Sequence, residues 1–171
     1  VDQIDWECEV HRKYQEKNYG CDPSEYISQK WAFSMVDKCI VLEDDDVPSV
    51  SFFTFCKEML DRYEQDTRIT MIAGFNNEEI TPDVPYDYFF ASTFSIWGWA
   101  SWKRVIDQWD EHYTFLEDTF NMQQLEQLMK ERKFRKDFIY MCHRHKENNK
   151  AYYETIFHAS MLFNSGLSIV P

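Results

Sequence analysis

The spacing of apolar residues along the chain predicts an α/β protein. Short continuous apolar runs predict buried strands at 39–42, 69–73, 88–91 and 167–170. Apolar residues three or four positions apart predict helices at 24–36, 51–66, 99–109, 120–132, 134–146 and 152–163. A further short strand is predicted at 5–10, and the acidic, proline-containing segment 76–87 is predicted to be a loop.

Four consecutive carboxylates, Glu43 to Asp46, directly follow the predicted strand at 39–42. Adjacent anions repel one another at neutral pH, so a bound cation would relieve the repulsion. Ligands of parallel sheets bind beyond the carboxyl ends of the strands, which is where this loop lies. Carboxylate oxygens favour Mg²⁺, Mn²⁺ or Ca²⁺ over zinc. A solvated acidic turn is the alternative, and the position directly after a buried strand favours a metal site.

Composition and charge restrict the class of protein and its partners. A chain of 171 residues with 18% aromatic residues fits one globular domain. The formal net charge of −12 argues against nucleic acid and anionic membrane surfaces as partners. No run of eighteen apolar residues exists that could span a membrane. The five scattered cysteines suit reduced thiols, so the expected location is the cytoplasm, free or peripheral at the inner face of the membrane.

Four segments resemble, in their order and spacing, bacterial glycosyltransferases of the GT-A fold, which use nucleotide-diphosphate sugars. Residues 42–53 resemble the Glu-Asp-Asp form of the family's Asp-x-Asp motif and the helix that follows it. Residues 96–104 are similar to its Trp-Gly-Trp-Ala-Thr-Trp signature, with Ser101 in place of threonine. Residues 68–76 and 18–21 resemble a strand with its glycine and an Asn-Leu-Gly-Cys turn. N-acetylglucosaminyltransferases are a more distant similarity.

The resemblance assigns roles to the acidic loop. By position, Asp45 would hold a Mn²⁺ or Mg²⁺ ion that bridges the donor's diphosphate, while Glu43 and Asp44 would face the nucleotide. Asp46 is an additional anion to which the resemblance gives no role.

The tryptophan segment has two interpretations. Trp97 and Trp99 could simply pack in the core, as aromatic residues commonly do. Gly98 between them favours a close approach to a ligand or a positive φ. An indole offers a flat apolar surface to the C–H face of a sugar, so these three residues are predicted to line the donor or acceptor site.

Near the carboxyl terminus, residues 153–157 and 166–171 resemble the family's Trp-Asp-Tyr-Gln-Trp segment and its Gly-Leu-Ser-Ile-x-Pro strand. Glu154 stands where the family has an aspartate, the general base of inverting enzymes. The residue differs from that aspartate by one methylene group, and Tyr153 replaces the preceding tryptophan. Without the resemblance, Glu154 would be interpreted as an exposed helix carboxylate.

The resemblance implies a metal-dependent glycosyltransferase that moves a sugar from a nucleotide-diphosphate donor to a saccharide or other hydroxyl acceptor with inversion. The implied fold is a Rossmann-like, mostly parallel central sheet flanked by helices. Residues 1–171 would form one catalytic core, a fragment of a longer chain that lacks part of the amino-terminal nucleotide-binding unit and could be inactive alone. The alternatives are a non-catalytic Ca²⁺-dependent module that binds carbohydrate or protein, and a metal-dependent phosphohydrolase.

Overall fold

Helices and strands form a mixed α/β structure. The computed structural model describes residues 4–77, 79 and 83–171, and its helices and strands are those of the described residues. The strands are β1 (Lys38–Val41), β2 (Ile69–Ala73), β3 (Phe89–Ala91), β4 (Trp99–Trp102) and β5 (Leu167–Val170). The helices are α1 (Cys21–Met35), α2 (Val50–Arg62), α3 (Lys103–Ile106), α4 (Thr119–Leu128), α5 (Arg132–Glu147) and α6 (Tyr153–Phe163), with a 3₁₀ turn at Thr114–Glu117.

The five strands form one sheet in the order β1-β4-β2-β5-β3. Only the β2–β5 pair is parallel, while the other three pairs are antiparallel. The expectation of a mostly parallel sheet is therefore not met, although the α/β class is confirmed. The reason is the place of β4, which lies antiparallel between β1 and β2. Strands β1, β2 and β5 still run in the same direction, so their carboxyl ends lie at the same end of the sheet.

Two predicted elements differ from the structure. The helix predicted at 99–109 is wrong at its start, because Trp99–Trp102 is strand β4 and only Lys103–Ile106 is helical. All four strand residues are buried, so the apolar spacing reflected burial on both faces of the sheet. The strand predicted at 5–10 is absent, since those residues form no regular element. The loop predicted at 76–87 has no helix or strand where it is described, but positions 78 and 80–82 lie outside the described residues.

Helices cover both faces of the sheet. Side chains three positions apart in a strand point to opposite faces, which separates the two tryptophans of β4. The Trp99 ring stacks between Phe33 of α1 and Tyr153 of α6. The Trp102 indole instead donates its N–H to the carbonyl of Leu60 in α2, at 3.2 Å. Strand β4 therefore lies at the centre of a three-layer core. No helix among the described residues is long and apolar enough to cross a membrane.

Five stacked aromatic rings form a column that fixes α1 and α6 against the sheet. Successive rings have centroids 5.9 to 6.4 Å apart and planes within 28° of parallel. Their order is Phe33, Trp99, Tyr153, Trp109 and Tyr26. Because the column begins and ends on α1, it holds the start of α6 close to the start of α1. This positions the side chains of both first turns relative to the acidic loop.

Candidate functional site

A cavity of about 320 Å³ lies at the end of the sheet where strands β1 and β2 finish and β4 begins. Val41 of β1 and Ala73 of β2 both pair with Trp99, so the residues just beyond these three positions become neighbours. The lining comes from three separate segments of the chain. Its residues are Leu42, Asp45, Asp46, Val47, Pro48, Ser49, Phe52, Gly74, Phe75, Trp97 and Gly98.

The acidic loop is a closed turn in which Asp46 has a structural role. The Asp46 amide donates to the carbonyl of Glu43 at 3.3 Å, and the Glu43 amide donates back to Oδ2 of Asp46 at 2.9 Å. These reciprocal bonds fix the turn and place Asp44 and Asp45 at its tip. Asp46 therefore shapes the loop that presents its neighbours, which the sequence pattern did not reveal.

Asp45 is one of two aspartates that line the cavity. It is exposed, lines the cavity and has no hydrogen-bond or ion-pair partner among the described residues. None of the described lining residues is a lysine, arginine or histidine. An anionic group such as a diphosphate would therefore meet two aspartates and no cation unless it entered together with a metal ion.

The carboxylates of the acidic loop suit a hard cation that takes most of its ligands from a substrate and from water. Among the described residues, no group of three or more His, Cys, Asp or Glu side chains is arranged to hold a metal ion. A Ca²⁺ site formed by the protein alone needs six to eight oxygens, which this loop does not assemble. A Mg²⁺ or Mn²⁺ ion commonly uses one or two carboxylates and takes further ligands from substrate phosphates and water. Asp45 can serve in that second arrangement.

Gly74 and Gly98 allow the backbone at this end of the sheet to pack closely against the ring of Phe52. A Cβ atom on Gly74 would lie 2.3 Å from Cε2 of Phe52 and 2.6 Å from the carbonyl oxygen of Gly98. That same oxygen accepts a hydrogen bond from the Gly74 amide at 2.8 Å. Gly98 has a φ of +63°, the left-handed conformation that favours glycine. The positive φ expected at Gly98 is therefore present, and the Phe52 ring forms part of the cavity wall.

The two tryptophans of the Trp97-Gly98-Trp99 segment have different environments. Trp97 is 57% exposed, lines the cavity and packs edge-on against Phe75, with ring centroids 4.9 Å apart. Trp99 is fully buried in the aromatic column and does not line the cavity. The left-handed residue Gly98 interrupts the regular alternation of side chains just before β4 begins, so the two rings do not share a face. Trp97 is thus accessible from the cavity, while Trp99 packs in the core, contrary to its predicted place in the site.

Glu154 lies outside this cavity, in the first turn of α6, where it is half-buried. Burial is the largest cause that raises the pKa of this carboxyl group, followed by the negative charges of Asp22, Glu25 and Glu43. Asp22 and Glu25 belong to the first two turns of α1. The structure therefore brings together four carboxylates from three segments, of which the sequence analysis had selected only Glu43 and Glu154. A raised pKa makes a carboxylate a better proton acceptor.

Glu43 connects the two groups of residues. Its pKa is raised first by burial and then by Glu25 and Asp46, while a hydrogen bond from Tyr153 opposes the rise. The buried Tyr153 hydroxyl donates this bond to Oε1 of Glu43 at 3.4 Å. The turn that carries Asp45 is thus tied to the first turn of α6, next to Glu154.

Of the seven residues predicted to form the site, the cavity collects Asp45, Trp97 and Gly98. Glu43 faces α1 and α6, Asp44 is exposed at the tip of the turn, and neither lines the cavity. Sequence reasoning missed Phe52, Gly74 and Phe75 as lining residues. Gly74 directly follows a buried strand and lies in a segment that resembles the family, and these were the available signals for it.

Comparisons of the chain with protein-family models, with curated protein sequences and with solved structures found no match. The case for a function therefore rests on the geometry of the site and on the sequence motifs.

Proposed function

We propose that the protein is a metal-dependent glycosyltransferase of GT-A type, which transfers a sugar from a nucleotide-diphosphate donor to a hydroxyl acceptor. The observation that carries this proposal is the cavity at the carboxyl ends of β1 and β2, where Asp45, Trp97 and Gly98 meet. Asp45 is 52 positions from Trp97 in the sequence (97 − 45 = 52), yet each of the three residues belongs to a motif that resembles the family.

The charges of the cavity support a donor that arrives with a metal ion. Asp45 has no partner in the part of the chain that the structure describes, and the described lining residues include no cation that could balance a diphosphate. A Mn²⁺ or Mg²⁺ ion on Asp45 would balance that charge and stabilise the nucleoside diphosphate as it leaves. Trp97 and Phe75 supply an aromatic wall beside the carboxylates, as an amphipathic sugar or nucleotide requires.

Glu154 has the properties of the base in this proposal. An acceptor hydroxyl is a weak nucleophile unless a carboxylate removes its proton as the new bond forms. Burial and neighbouring carboxylates raise the pKa of Glu154, which favours that transfer. The acceptor would bind beside the first turn of α6, while Tyr153 holds the loop of Asp45 next to it. Attack opposite the leaving diphosphate inverts the anomeric carbon.

The experiment uses the full-length protein, a panel of nucleotide-diphosphate sugars, and Mn²⁺ or Mg²⁺. Asp45→Asn should lower the metal-dependent affinity for the donor by more than about tenfold, because even residues that only support a metal ligand have effects of that size. Glu154→Gln should leave donor affinity unchanged and lower kcat for transfer by about 10²- to 10⁴-fold. The matched control is Asp37→Asn, which removes the same charge at the opposite, amino-terminal end of β1.

The proposal fails if no donor in the panel binds more tightly with metal than without it, or if Asp45→Asn and Asp37→Asn behave alike. Full transfer activity in Glu154→Gln would remove the base from the mechanism. Tight binding of Ca²⁺ alone, with carbohydrate binding but no transfer by the wild type, would favour a binding module.

A further inference from the structure

A second, larger cavity lies between the first turns of α1 and the connection from α5 to α6. Its volume is about 670 Å³, within the range of small-molecule sites. The walls come from the segment before α1, the first turns of α1, the turn before the 3₁₀ helix and the connection from α5 to α6. The lining residues are Lys17, Asn18, Tyr19, Pro23, Tyr26, Ile27, Glu111, His112, Asn148, Asn149, Lys150 and Ala151.

The balance of charge in this cavity is opposite to that of the chain. Lys17 and Lys150 have no ion-pair partner among the described residues, although Lys17 lies over the ring of Tyr19 at 5.1 Å. Among the described lining residues the one carboxylate is Glu111, which raises the pKa of Tyr26 and lies 3.7 Å from Nε2 of His112. Since the chain as a whole carries −12, two unpaired lysines in one cavity create a local site for an anion.

The remaining lining residues suit hydroxyl groups and sugar rings. The side-chain amides of Asn148 and Asn149 have no hydrogen-bond partner among the described residues, and an amide both donates and accepts. Asn149 has a φ of +50° in the turn that ends α5, and both asparagines line the cavity. Tyr19 adds an aromatic ring that can pack against sugar C–H groups.

The position of the cavity connects it to Glu154. Pro23 and Tyr26 of the lining belong to α1, whose Asp22 raises the pKa of Glu154. At the other wall, Ala151 is three residues before Glu154. A ligand in this cavity therefore lies beside the start of α6, near Glu154.

We propose that this cavity binds the acceptor, and that the acceptor is a saccharide carrying a carboxylate or phosphate, held by Lys17 and Lys150. The role of acceptor rests on the proposed transferase function, while the anionic saccharide site itself stands on the cavity alone. Asn148 and Asn149 would bind hydroxyl groups of the same ligand.

The test is an NMR titration of the full-length protein that follows the backbone amides of Asn149 and Lys150. The probes are methyl β-D-glucuronide, glucose 6-phosphate and the neutral methyl β-D-glucoside. An exposed ion pair contributes modestly to affinity, so Lys17→Gln/Lys150→Gln should weaken binding of an anionic probe about 2- to 30-fold and leave the glucoside unchanged. The matched control is Lys133→Gln/Lys136→Gln, which removes two exposed charges of α5 outside the cavity.

Preference for the glucuronide or for the sugar phosphate, lost only in the Lys17/Lys150 variant, supports the site and identifies the anionic group. Equal affinity for all three probes, or equal losses in the two double variants, overturns it. Metal-dependent donor affinity in the Lys17/Lys150 variant separates the two proposals. The acceptor inference alone is wrong if the donor binds but the glucuronide and the sugar phosphate do not. The transferase proposal is wrong if an anionic probe binds and no donor does.

Discussion

Replacing Gly74 by alanine tests whether the edge of the sheet closes as tightly as the structure shows. The new Cβ would lie 2.3 Å from the Phe52 ring and 2.6 Å from the Gly98 carbonyl oxygen. The ring can shift, but the oxygen belongs to the backbone and accepts the Gly74 amide at 2.8 Å. Overpacking typically costs about 1–3 kcal/mol, and a weakened hydrogen bond adds about 1 kcal/mol. We therefore expect Gly74→Ala to lower the free energy of unfolding by about 3 kcal/mol.

The loss is measured by urea unfolding followed by tryptophan fluorescence, and by a fall in Tm of roughly 6–12 °C. Gly98→Ala is the comparison, because its Cβ would have 3.3 Å to its nearest neighbour and would add mainly the strain of a positive φ, about 1–2 kcal/mol. Phe52→Leu should partly relieve Gly74→Ala in a double-mutant cycle, since the ring is one of the two clashing groups. A Gly74→Ala protein within about 0.5 kcal/mol of the wild type would refute this description of the site.

Two further predictions concern Glu154 and the start of α4. The folded-state pKa of Glu154 is raised above its usual value, so its contribution favours the folded state at low pH and is lost as pH rises through the folded pKa. Glu154→Gln should therefore have a higher free energy of unfolding than the wild type above that pKa. This difference should shrink in urea titrations at lower pH, and a difference independent of pH would contradict the reasoning. The Asp118 side chain caps α4 by accepting from the amides of Phe120 and Asn121, so Asp118→Ala should cost about 1 kcal/mol in the same assay. An unchanged urea midpoint in Asp118→Ala would show that the cap contributes nothing.

The elements that local patterns describe well were predicted closely. The apolar stripe of α2 and the buried run of β2 are near the predicted ranges, because side-chain spacing within one segment depends only on that segment. The acidic turn was also found by sequence, since four adjacent carboxylates after a buried strand are visible without any tertiary contact. For Gly98 between two large rings, the sequence allowed a close approach to a ligand or a positive φ, and the structure has the positive φ.

Other features depend on pairing between distant segments. The sequence of β4 does not show that it inserts antiparallel between β1 and β2, and that insertion turned an expected parallel sheet into a mixed one. The same pairing brings Gly74 against Gly98 and leaves Trp97 at the cavity while Trp99 is buried. The approach of Glu25 to Glu154 likewise requires α1 and α6 to pack together. Sequence by itself determined which carboxylates and aromatic rings the chain carries, because side-chain chemistry belongs to single residues. The tertiary structure decided which of them meet, because strand order and helix packing are fixed by long-range contacts.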